Sequence, residues 1–321
     1  MNLSTLIEPI ADDMKALDVV IRERLNSDVV LIRTIGEYIV SAGGKRMRPA
    51  LLLLVARALA YQGSTHHLLA GVVEFIHTAT LLHDDVVDES DMRRGRHTAN
   101  AVYGNAASVL VGDYLYSRSF EMMVQSNSMP AMAVLSAATT VIAEGEVLQL
   151  LNVHDPDVSL ERYLQVVRYK TAKLFEAAAQ VGAIVAGASP DMEAAMAAYG
   201  RHLGTAFQLV DDVLDYTGDA QARGKNVGDD LREGKPTMPL IRVMEVGTAE
   251  QVQLIKSAIE TGDADFAAVA RAIEQTDALT YTREAAKAEA QLAVQALADV
   301  PESEFKQVLL SLCAFSVERD R

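Results

Sequence analysis

The sequence predicts an all-α protein that folds as a single domain over residues 1–321. Three observations predict this fold class. Alanine, leucine, glutamate and methionine are frequent, and these residues favour helices. Apolar residues recur at helical spacing over long windows, without the alternation that is typical of strands. Half of the 321 residues are apolar, which is enough to bury a sizeable core.

The clearest predicted helix runs from Leu68 to Val87. Val72, Val73 and their apolar neighbours cover much of its circumference, which predicts a helix buried inside the bundle. Helix ends are expected at Gly43-Gly44, Gly63-Ser64, Arg94-Gly95, Asn127 to Pro130, Asp155-Pro156 and Gly187 to Pro190. At the last of these breaks, Ser189 is the expected N-cap because Pro190 suits a first helical turn.

The stretch from Thr217 to Pro239 is predicted to be a functional loop. It is polar and carries four glycines, two lysines and two prolines. A stretch of this length is too long for an idle connection in a compact bundle. The sequence has no repeat of solenoid length, so the other breaks are interpreted as helix connections and not as domain linkers.

Charge and composition restrict the function classes. The 29 basic and 44 acidic residues give a net charge of −15, which argues against binding to nucleic acid. The single cysteine, Cys313, cannot form an internal disulfide and fits a cytoplasmic protein. The N-terminus does not resemble a signal peptide. The stretch from Pro49 to Ala56 is far shorter than the roughly 20 apolar residues that span a bilayer, so we expect peripheral membrane contact at most.

Two segments, Leu82 to Asp88 and Leu209 to Asp215, repeat the pattern Asp-Asp-x-x-Asp on apolar helices. Because a helix turns by about 100° per residue, Asp84 and Asp88 share a face, whereas Asp85 points about 100° away. Like charges at this spacing destabilise a helix, so a bound cation is expected. Oxygen ligands favour Mg²⁺ or Ca²⁺ over zinc. A solvated acidic face is the alternative for one motif, but two copies favour metal clusters that face a diphosphate.

The segment Gly43 to Pro49 is an anion site by composition. Lys45, Arg46 and Arg48 stand just before an apolar helix, where a phosphate would also meet the helix N-terminus. The segment is not a nucleotide-binding P-loop, since Ile39 replaces the first glycine of that motif and Arg46 follows the lysine. An exposed basic loop is the alternative interpretation.

The first acidic motif is followed by Asp91-Met92-Arg93-Arg94-Gly95. Paired acidic motifs with this Arg-Arg-Gly resemble the trans-isoprenyl (polyprenyl) diphosphate synthase family, most closely its octaprenyl diphosphate synthases. The similarity covers nearly the whole chain, including Gly145-Glu146-Val147 and Gly228-Asp229-Asp230. It implies a helical bundle of the isoprenoid synthase type with a central active-site cavity. It also implies three Mg²⁺ ions held by Asp84, Asp88 and Asp211, whereas the roles of Asp85, Asp212 and Asp215 stay open.

The resemblance assigns residues to two substrates. Those for isopentenyl diphosphate are Lys45, Arg48, His77 and Arg94. Those for the allylic diphosphate are Arg93, Lys170, Lys225 and Lys235, and the last two are expected to cover the diphosphate from the polar stretch. Lys170, Thr171 and Gln208 are the implied catalytic residues. Thr171 and Gln208 are neutral dipoles, which can steady an allylic cation without capturing it.

The implied reaction extends farnesyl diphosphate with isopentenyl diphosphate to a long all-trans product, octaprenyl diphosphate, for a quinone side chain such as that of ubiquinone. Short-chain relatives carry bulky aromatic residues five or four positions before the first aspartate. Here these positions hold the small residues Ala79 and Thr80, which predicts an open hydrophobic tunnel. Met123 on the next helix is the candidate for its floor. We expect a homodimer.

Two other functions remain open at this point. Terpene cyclases also use Asp-Asp-x-x-Asp, but usually pair it with an Asn/Ser/Glu metal motif. A silent partner subunit of a heteromeric prenyl synthase would normally have lost acidic or basic motif residues, and all of them are present here.

Overall fold

The computed structural model of the chain describes residues 3–41, 44, 46–93, 95–217, 228–263 and 265–319. Most of these residues are helical, which confirms the predicted all-α class. In chain order the helices are α1 Leu3–Leu6, α2 Ala11–Leu25, α3 Val30–Ser41, α4 Met47–Ala58, α5 Thr65–Val87, α6 Ala99–Tyr103, α7 Asn105–Gln125, α8 Met129–Asn152, α9 Leu160–Val166, α10 Lys173–Val185, α11 Pro190–Thr217, α12 Asp229–Arg232, α13 Met238–Val246, α14 Ala249–Thr261, α15 Phe266–Gln275, α16 Ala278–Ala296 and α17 Glu304–Glu318. A 3₁₀ turn at Glu8–Ile10 precedes α2, and a π-helical segment at Val167–Ala172 joins α9 to α10.

Within the described part of the chain, one small hairpin interrupts the helices. Strands β1 Met92–Arg93 and β2 Arg96–His97 pair antiparallel, with Met92 opposite His97 and Arg93 opposite Arg96. Gly95 has a φ of 74°, which a residue without a side chain adopts at no steric cost. The predicted break thus falls in a hairpin between α5 and α6, in which Gly95 is described and Arg94 is not.

The chain divides into two compact units. Unit 1 comprises Met1–Thr139, Leu174–Gly200 and Ala296–Leu312, and unit 2 comprises Thr140–Lys173, Arg201–Gln295 and Cys313–Arg321. Each unit contains one of the two acidic motifs. A single domain over residues 1–321 stays a prediction.

The core of unit 1 contains α4 and α5. The run Leu51 to Ala56 in α4 is completely buried, as are Val72, Val73 and Ile76 in α5. The predicted burial of the α5 helix on most of its circumference is thus confirmed. Burial on this scale fixes the helix that carries His77 and the first acidic motif.

Small residues let α5 and α7 approach each other closely. A Cβ atom added to Gly112 would lie 2.3 Å from Nε2 of His83, and one added to Gly71 would lie 3.0 Å from Cε of Met122. The Ser108 hydroxyl donates a hydrogen bond to the carbonyl oxygen of Leu82 over 3.0 Å. These contacts along both halves of α5 fix its position against α7.

In unit 2, an apolar cluster joins the two segments that carry its predicted site residues. Tyr163 and Val167 pack with Leu209, Leu214 and Met238. The π-helical segment that follows Val166 also approaches α8, because a Cβ atom on Gly145 would lie 2.7 Å from the backbone nitrogen of Lys170. A second cluster, which includes Tyr216, Leu240 and Ile255, packs α13 to α15 together.

The predicted helix ends agree with the structure wherever it describes them. Ser64 directly precedes α5, and the Asp155-Pro156 break lies between α8 and α9. Helix α11 begins at Pro190, and Oγ of Ser189 accepts a hydrogen bond from the Met192 backbone N–H over 3.3 Å. The described part of the stretch 217–239 is partly helical, in contrast to the predicted loop: it contains α12, and Pro239 belongs to α13. Residues 218–227 lie outside the described part.

One described helix, α8, is long and apolar enough to cross a membrane when length and composition alone are considered. A buried core helix passes the same test, and about a third of the relevant stretch is buried (33%). Glu146, near its C-terminus, forms an ion pair with Lys170.

Candidate active site

The first acidic motif ends α5, and its three aspartates occupy two environments. Asp84 and Asp88 are half-buried, whereas Asp85 is only 5% exposed. Oδ1 of Asp85 accepts hydrogen bonds from the Arg93 guanidinium, from Nε over 2.8 Å and from Nη2 over 2.6 Å. Asp85 therefore points away from the face that Asp84 and Asp88 share, as the helical phase predicts.

The negative charges of all three aspartates of this motif act on Arg93. Burial lowers the pKa of Arg93, but the charges of Asp85, Asp84 and Asp88 outweigh burial and leave the pKa above its ordinary value. The short hairpin holds this arginine in place, since Arg93 belongs to β1. The resemblance assigned Arg93 to the allylic diphosphate. The structure adds a contact with the buried Asp85, and Arg94 lies outside the described residues.

Two residues assigned to isopentenyl diphosphate meet in unit 1. Nη1 of Arg48, in the first turn of α4, lies 3.3 Å from Nε2 of His77 on α5. The Arg48 guanidinium also stacks over the Phe175 ring, 4.5 Å from its centroid. The neighbouring Arg46 adopts a left-handed backbone with a φ of 44° and pairs with Asp18, a contact that sequence reasoning did not find. Lys45 lies outside the described residues.

In the second acidic motif, on α11, the first aspartate is again half-buried and the second buried, but the third is also buried. Asp211 is half-buried, and its Oδ1 lies 3.4 Å from Nη2 of Arg319. Asp212 and Asp215 are each 2% exposed. Both buried carboxylates are hydrogen-bonded inside unit 2. Oδ2 of Asp215 accepts a hydrogen bond from the Asp230 backbone N–H over 3.3 Å. Asp215 thus ties the start of α12 to α11, although helical phase places it on the face of Asp211.

Asp212 is held by donors on both of its oxygens. The Tyr163 hydroxyl donates to Oδ2, and Nε2 of Gln208 donates to Oδ1 over 2.9 Å. Burial and the nearby charge of Asp230 raise the pKa of Asp212 well above its ordinary value, whereas the hydrogen bonds from Tyr163 and Gln208 oppose this rise. The hydrogen bonds from Tyr163 and Gln208 hold Asp212 in one position in the middle of the motif.

The three residues assigned to catalysis lie together in unit 2. Lys170 and Thr171 belong to the π-helical segment, and such segments occur frequently at functional sites. Oγ1 of Thr171 donates to Oε1 of Gln208 over 3.0 Å. Nζ of Lys170 donates to Oε2 of Glu146 over 2.5 Å and to Oε1 of Gln149 over 2.6 Å.

The polar stretch contributes one described lysine. Nζ of Lys235 lies 2.5 Å from Oε2 of Glu233, and its backbone N–H donates to the Asp230 carbonyl oxygen over 2.8 Å. Lys235 is therefore ordered next to the second acidic motif, because Asp230 also bonds to Asp215. Lys225, the other lysine assigned to the allylic diphosphate, lies outside the described residues.

The residues assigned to product length are buried or half-buried in unit 1. Ala79 is 0% exposed and Met123 is 1% exposed. Thr80 donates its hydroxyl hydrogen to the His77 carbonyl oxygen over 2.8 Å, so only its methyl group is available for contact with an apolar chain. The tunnel and its floor stay predictions.

Sequence reasoning missed several residues that contact the assigned ones. Tyr163 and Gln149 carry no motif of their own, and only their helical distance from Lys170 and Glu146 relates them to the site. Arg319 contacts Asp211 and stacks over the Phe207 ring at 3.7 Å, yet it lies more than 100 residues away in the sequence. The Gly145-Glu146-Val147 segment pointed to this region in the sequence, since Gly145 lies against the Lys170 backbone and Glu146 pairs with the Lys170 side chain.

Comparison with known proteins identifies the family. The model of the polyprenyl synthetase family matches residues 29–276. The chain belongs to this family. The octaprenyl diphosphate synthase of Escherichia coli K12 is 54% identical over 323 residues, which cover 100% of both chains. The all-trans-nonaprenyl-diphosphate synthase (geranyl-diphosphate specific) of Rhodobacter capsulatus is 44% identical and covers 98% of this chain and 97% of its own.

Solved polyprenyl synthases share the fold. The polyprenyl synthase of Caulobacter crescentus CB15, crystallised with calcium and isoprenyl diphosphate, superposes with a TM-score of 0.96 at 43% identity over 100% of this chain and 98% of its own. The prediction of an isoprenoid synthase bundle is therefore confirmed, and the chain is a prenyltransferase of the polyprenyl synthetase family. Neither a terpene cyclase nor a silent subunit is favoured by these similarities.

Proposed function

We propose that this polyprenyl synthetase is a Mg²⁺-dependent enzyme that extends farnesyl diphosphate with successive isopentenyl diphosphates. Residues 1–321 are proposed to form its single catalytic domain. The observation that carries the proposal is the division within both acidic motifs. In each motif the second aspartate, Asp85 or Asp212, is buried and bonded to protein donors, whereas the first, Asp84 or Asp211, is half-buried. In both motifs the second carboxylate is thus held as part of the fold, whereas the first lies at the edge of the core.

The donor set fits Mg²⁺. Asp84, Asp88 and Asp211 offer carboxylate oxygens, which are the ligands that Mg²⁺ prefers, and a Mg²⁺ site typically uses only one or two carboxylates beside substrate phosphates and water. We assign these three residues to three Mg²⁺ ions. When bound, the ions supply positive charge that stabilises a departing diphosphate. Asp85, Asp212 and Asp215 are proposed to fix the helix segments that carry these ligands, through their own hydrogen bonds to neighbouring protein groups.

The residues of this chain bind and orient two diphosphates. Arg48 and His77, with Lys45 and Arg94, hold isopentenyl diphosphate. Arg93, Lys170, Lys225 and Lys235 hold the allylic diphosphate, and these cations stabilise its charge as the allylic carbon–oxygen bond breaks. Thr171 and Gln208 present neutral dipoles to the allylic cation.

Carbon–carbon bond formation then follows from placement. The diphosphate leaves with the electron pair of the broken bond, and the double bond of isopentenyl diphosphate attacks the allylic carbon. The resulting cation loses a proton to the departed diphosphate, which restores a double bond. The product is an allylic diphosphate that is longer by one isoprene unit.

We further propose octaprenyl diphosphate, for a quinone side chain, as the product. The 54% identity to an octaprenyl diphosphate synthase exceeds the 44% identity to a nonaprenyl diphosphate synthase. The small side chains of Ala79 and Thr80 are compatible with a long tunnel. Proposed with it are a cytoplasmic location, peripheral membrane contact for product release, and no binding of nucleic acid.

We propose a homodimer on the basis of exposed apolar side chains at the end of α8. Val147, Leu150 and Leu151 are 57%, 61% and 66% exposed. Residues three and four positions apart lie on one face of a helix, so these side chains form a small apolar surface. A second copy of the chain is the proposed occupant.

The test is an incorporation assay. Purified protein is incubated with Mg²⁺, farnesyl diphosphate and labelled isopentenyl diphosphate, and the products are separated by chromatography. Linear prenyl diphosphates that disappear when Mg²⁺ is chelated support the proposal. A cyclic hydrocarbon would identify a terpene cyclase, and activity that requires another subunit would identify a silent partner.

A further inference from the structure

A continuous chain of hydrogen bonds in unit 2 converges on Asp212. The Tyr163 hydroxyl and Nε2 of Gln208 donate to the two carboxylate oxygens of Asp212. Oγ1 of Thr171 then donates to Oε1 of Gln208 over 3.0 Å. On the other side, the Tyr163 ring packs with Met238, at the start of α13. The hydrogen bonds therefore connect α9, which carries Tyr163, with the π-helical segment that carries Thr171.

The direction of these bonds fixes the orientation of Gln208. Gln208 turns its NH₂ group towards Asp212 and its carbonyl oxygen towards Thr171, so hydrogen bonds fix both ends of its amide. The Thr171 hydroxyl has a single proton, which it donates to that carbonyl oxygen. The lone pairs of Thr171 consequently point away from Gln208. A lone pair on a neutral oxygen is the part of a hydroxyl that stabilises a neighbouring cation.

The Tyr163 hydroxyl is not needed to fill space. Its ring is 7% exposed and packs among apolar residues that include Val167, Leu209 and Leu214, where a phenylalanine ring would fit as well. A buried hydroxyl is tolerated when it is hydrogen-bonded, and here the Tyr163 hydroxyl donates a hydrogen bond to Asp212. The polar contact with Asp212 is therefore what distinguishes tyrosine from phenylalanine at this position.

We propose that Tyr163 is a positioning residue for the condensation reaction. By holding Asp212 it fixes the Gln208 amide, and Gln208 in turn orients the Thr171 hydroxyl. This inference rests on the proposed function, in which Thr171 and Gln208 face the allylic cation. Tyr163 acts through other residues, so its loss affects the chemical step and leaves the binding of both diphosphates intact.

The first test is Tyr163→Phe, which removes only the hydroxyl. We expect kcat to fall about 10–100-fold, the range typical for groups that orient a functional residue. The KM values for farnesyl diphosphate and isopentenyl diphosphate should stay unchanged. The matched control is Tyr199→Phe, because the Tyr199 hydroxyl is also buried and donates to the Leu309 carbonyl oxygen over 2.8 Å within unit 1. The control should lose stability at parental kcat.

A double-mutant cycle tests whether the effect passes through Thr171. In a Thr171→Val background, Tyr163→Phe should lower kcat by much less than in the parent, since the hydroxyl that it orients is already missing. Full additivity of the two losses, or a Tyr163→Phe enzyme with parental kcat, overturns the inference. If Thr171→Val alone left kcat unchanged, the proposed role of Thr171 would fail instead.

A second variant keeps the inference testable if Tyr163→Phe does not fold. Asp212→Asn retains the shape of the side chain, but its amide cannot accept from both donors. The same selective loss of kcat is expected, again reduced in the Thr171→Val background. A folded Asp212→Asn enzyme with parental kcat would overturn the proposal.

Discussion

Nη1 of Arg48 lies 3.3 Å from Nε2 of His77, and the same guanidinium stacks over the Phe175 ring at 4.5 Å. The contact joins the first turn of α4 to the middle of α5. Because an arginine only donates hydrogen bonds, the ring nitrogen of His77 acts as the acceptor here. Two positions that are proposed to bind isopentenyl diphosphate, 29 residues apart in the sequence, thus lie in one local structure.

Arg48→Ala should raise the KM for isopentenyl diphosphate at least about tenfold, and kcat should change less. The reason is that its proposed contact is with a diphosphate that does not react, so ground-state binding is affected. The matched control is Arg242→Ala, which removes a guanidinium 4.4 Å from the Tyr281 ring centroid. Initial rates with each substrate varied in turn provide the measurement. A selective rise in the KM for farnesyl diphosphate would show that the two sites are reversed.

Asp84→Asn and Asp85→Asn should separate turnover from stability. Asp84→Asn removes a proposed metal ligand and one member of a like-charge pair, so we expect turnover to be nearly abolished with a smaller loss of stability than in Asp85→Asn. Asp85→Asn leaves the Arg93 guanidinium without its buried counter-charge and should lower the unfolding midpoint. Thermal unfolding and initial rates of both variants test this. Near-parental turnover of Asp84→Asn at saturating Mg²⁺ would contradict the ligand assignment.

Gly145→Ala should disturb the π-helical segment. The added Cβ would lie 2.7 Å from the Lys170 backbone nitrogen, so this backbone must shift. We expect a loss of stability of about 1–3 kcal/mol and a fall in kcat of the folded enzyme. Gly182→Ala is the control, because its Cβ would lie 2.7 Å from the Leu52 carbonyl oxygen and crowds unit 1 in the same way. Equal kcat values for the two folded variants would argue against a catalytic role for this segment.

The prediction of stability against pH rests on a buried cluster in unit 1. Oδ1 of Asp13 accepts from Nε2 of His66 over 3.2 Å and of His67 over 2.8 Å, and Arg57 donates to both Asp13 oxygens. Burial, assisted by the neighbouring His67, lowers the pKa of His66 from 6.5 to about 4. In the unfolded chain His66 therefore binds a proton below about pH 6.5, whereas in the native protein it does so only near pH 4.

The stabilising contribution of neutral His66 is consequently complete above pH 6.5 and is lost as the pH falls towards 4. The pKa of Asp13 is below its ordinary value of 3.8, because hydrogen bonds from Arg57 and His67 outweigh the effect of burial, so Asp13 adds a loss only at still lower pH. Unfolding midpoints between pH 7.5 and 4.5 should fall in the parent and fall less steeply in His66→Gln. His97→Gln, at an exposed position, is the control and should behave as the parent does. Equal slopes in the parent and in His66→Gln would contradict the assignment.

Ala79→Tyr tests the structural basis of a long product. Ala79 is fully buried on α5, five residues before Asp84, and a tyrosine ring there would occupy the predicted tunnel. We expect short prenyl diphosphates to accumulate, with a loss of stability of about 1–3 kcal/mol from overpacking. Chromatography of the products of the folded variant is the measurement. Formation of the parental product would show that Ala79 does not line the tunnel.

The sequence predicted what depends on local periodicity. The phase of α5 separated Asp85 from Asp84, and the breaks at Ser189-Pro190 and Asp155-Pro156 follow from local backbone preferences. The partners of Asp212 and Asp211 could not be predicted, since Tyr163 and Arg319 reach them through tertiary packing over long sequence separations. The resemblance named Lys170, but the π-helical backbone around it has no signal in apolar spacing.

The most direct test of the account is a pulse-chase experiment on chain elongation. Enzyme with Mg²⁺ and labelled farnesyl diphosphate is supplied with isopentenyl diphosphate, and samples are separated by chain length over time. The account predicts that label passes through successively longer linear diphosphates and collects in octaprenyl diphosphate. A label that remains in farnesyl diphosphate, or that leaves it as a hydrocarbon without incorporation of isopentenyl units, would contradict the account.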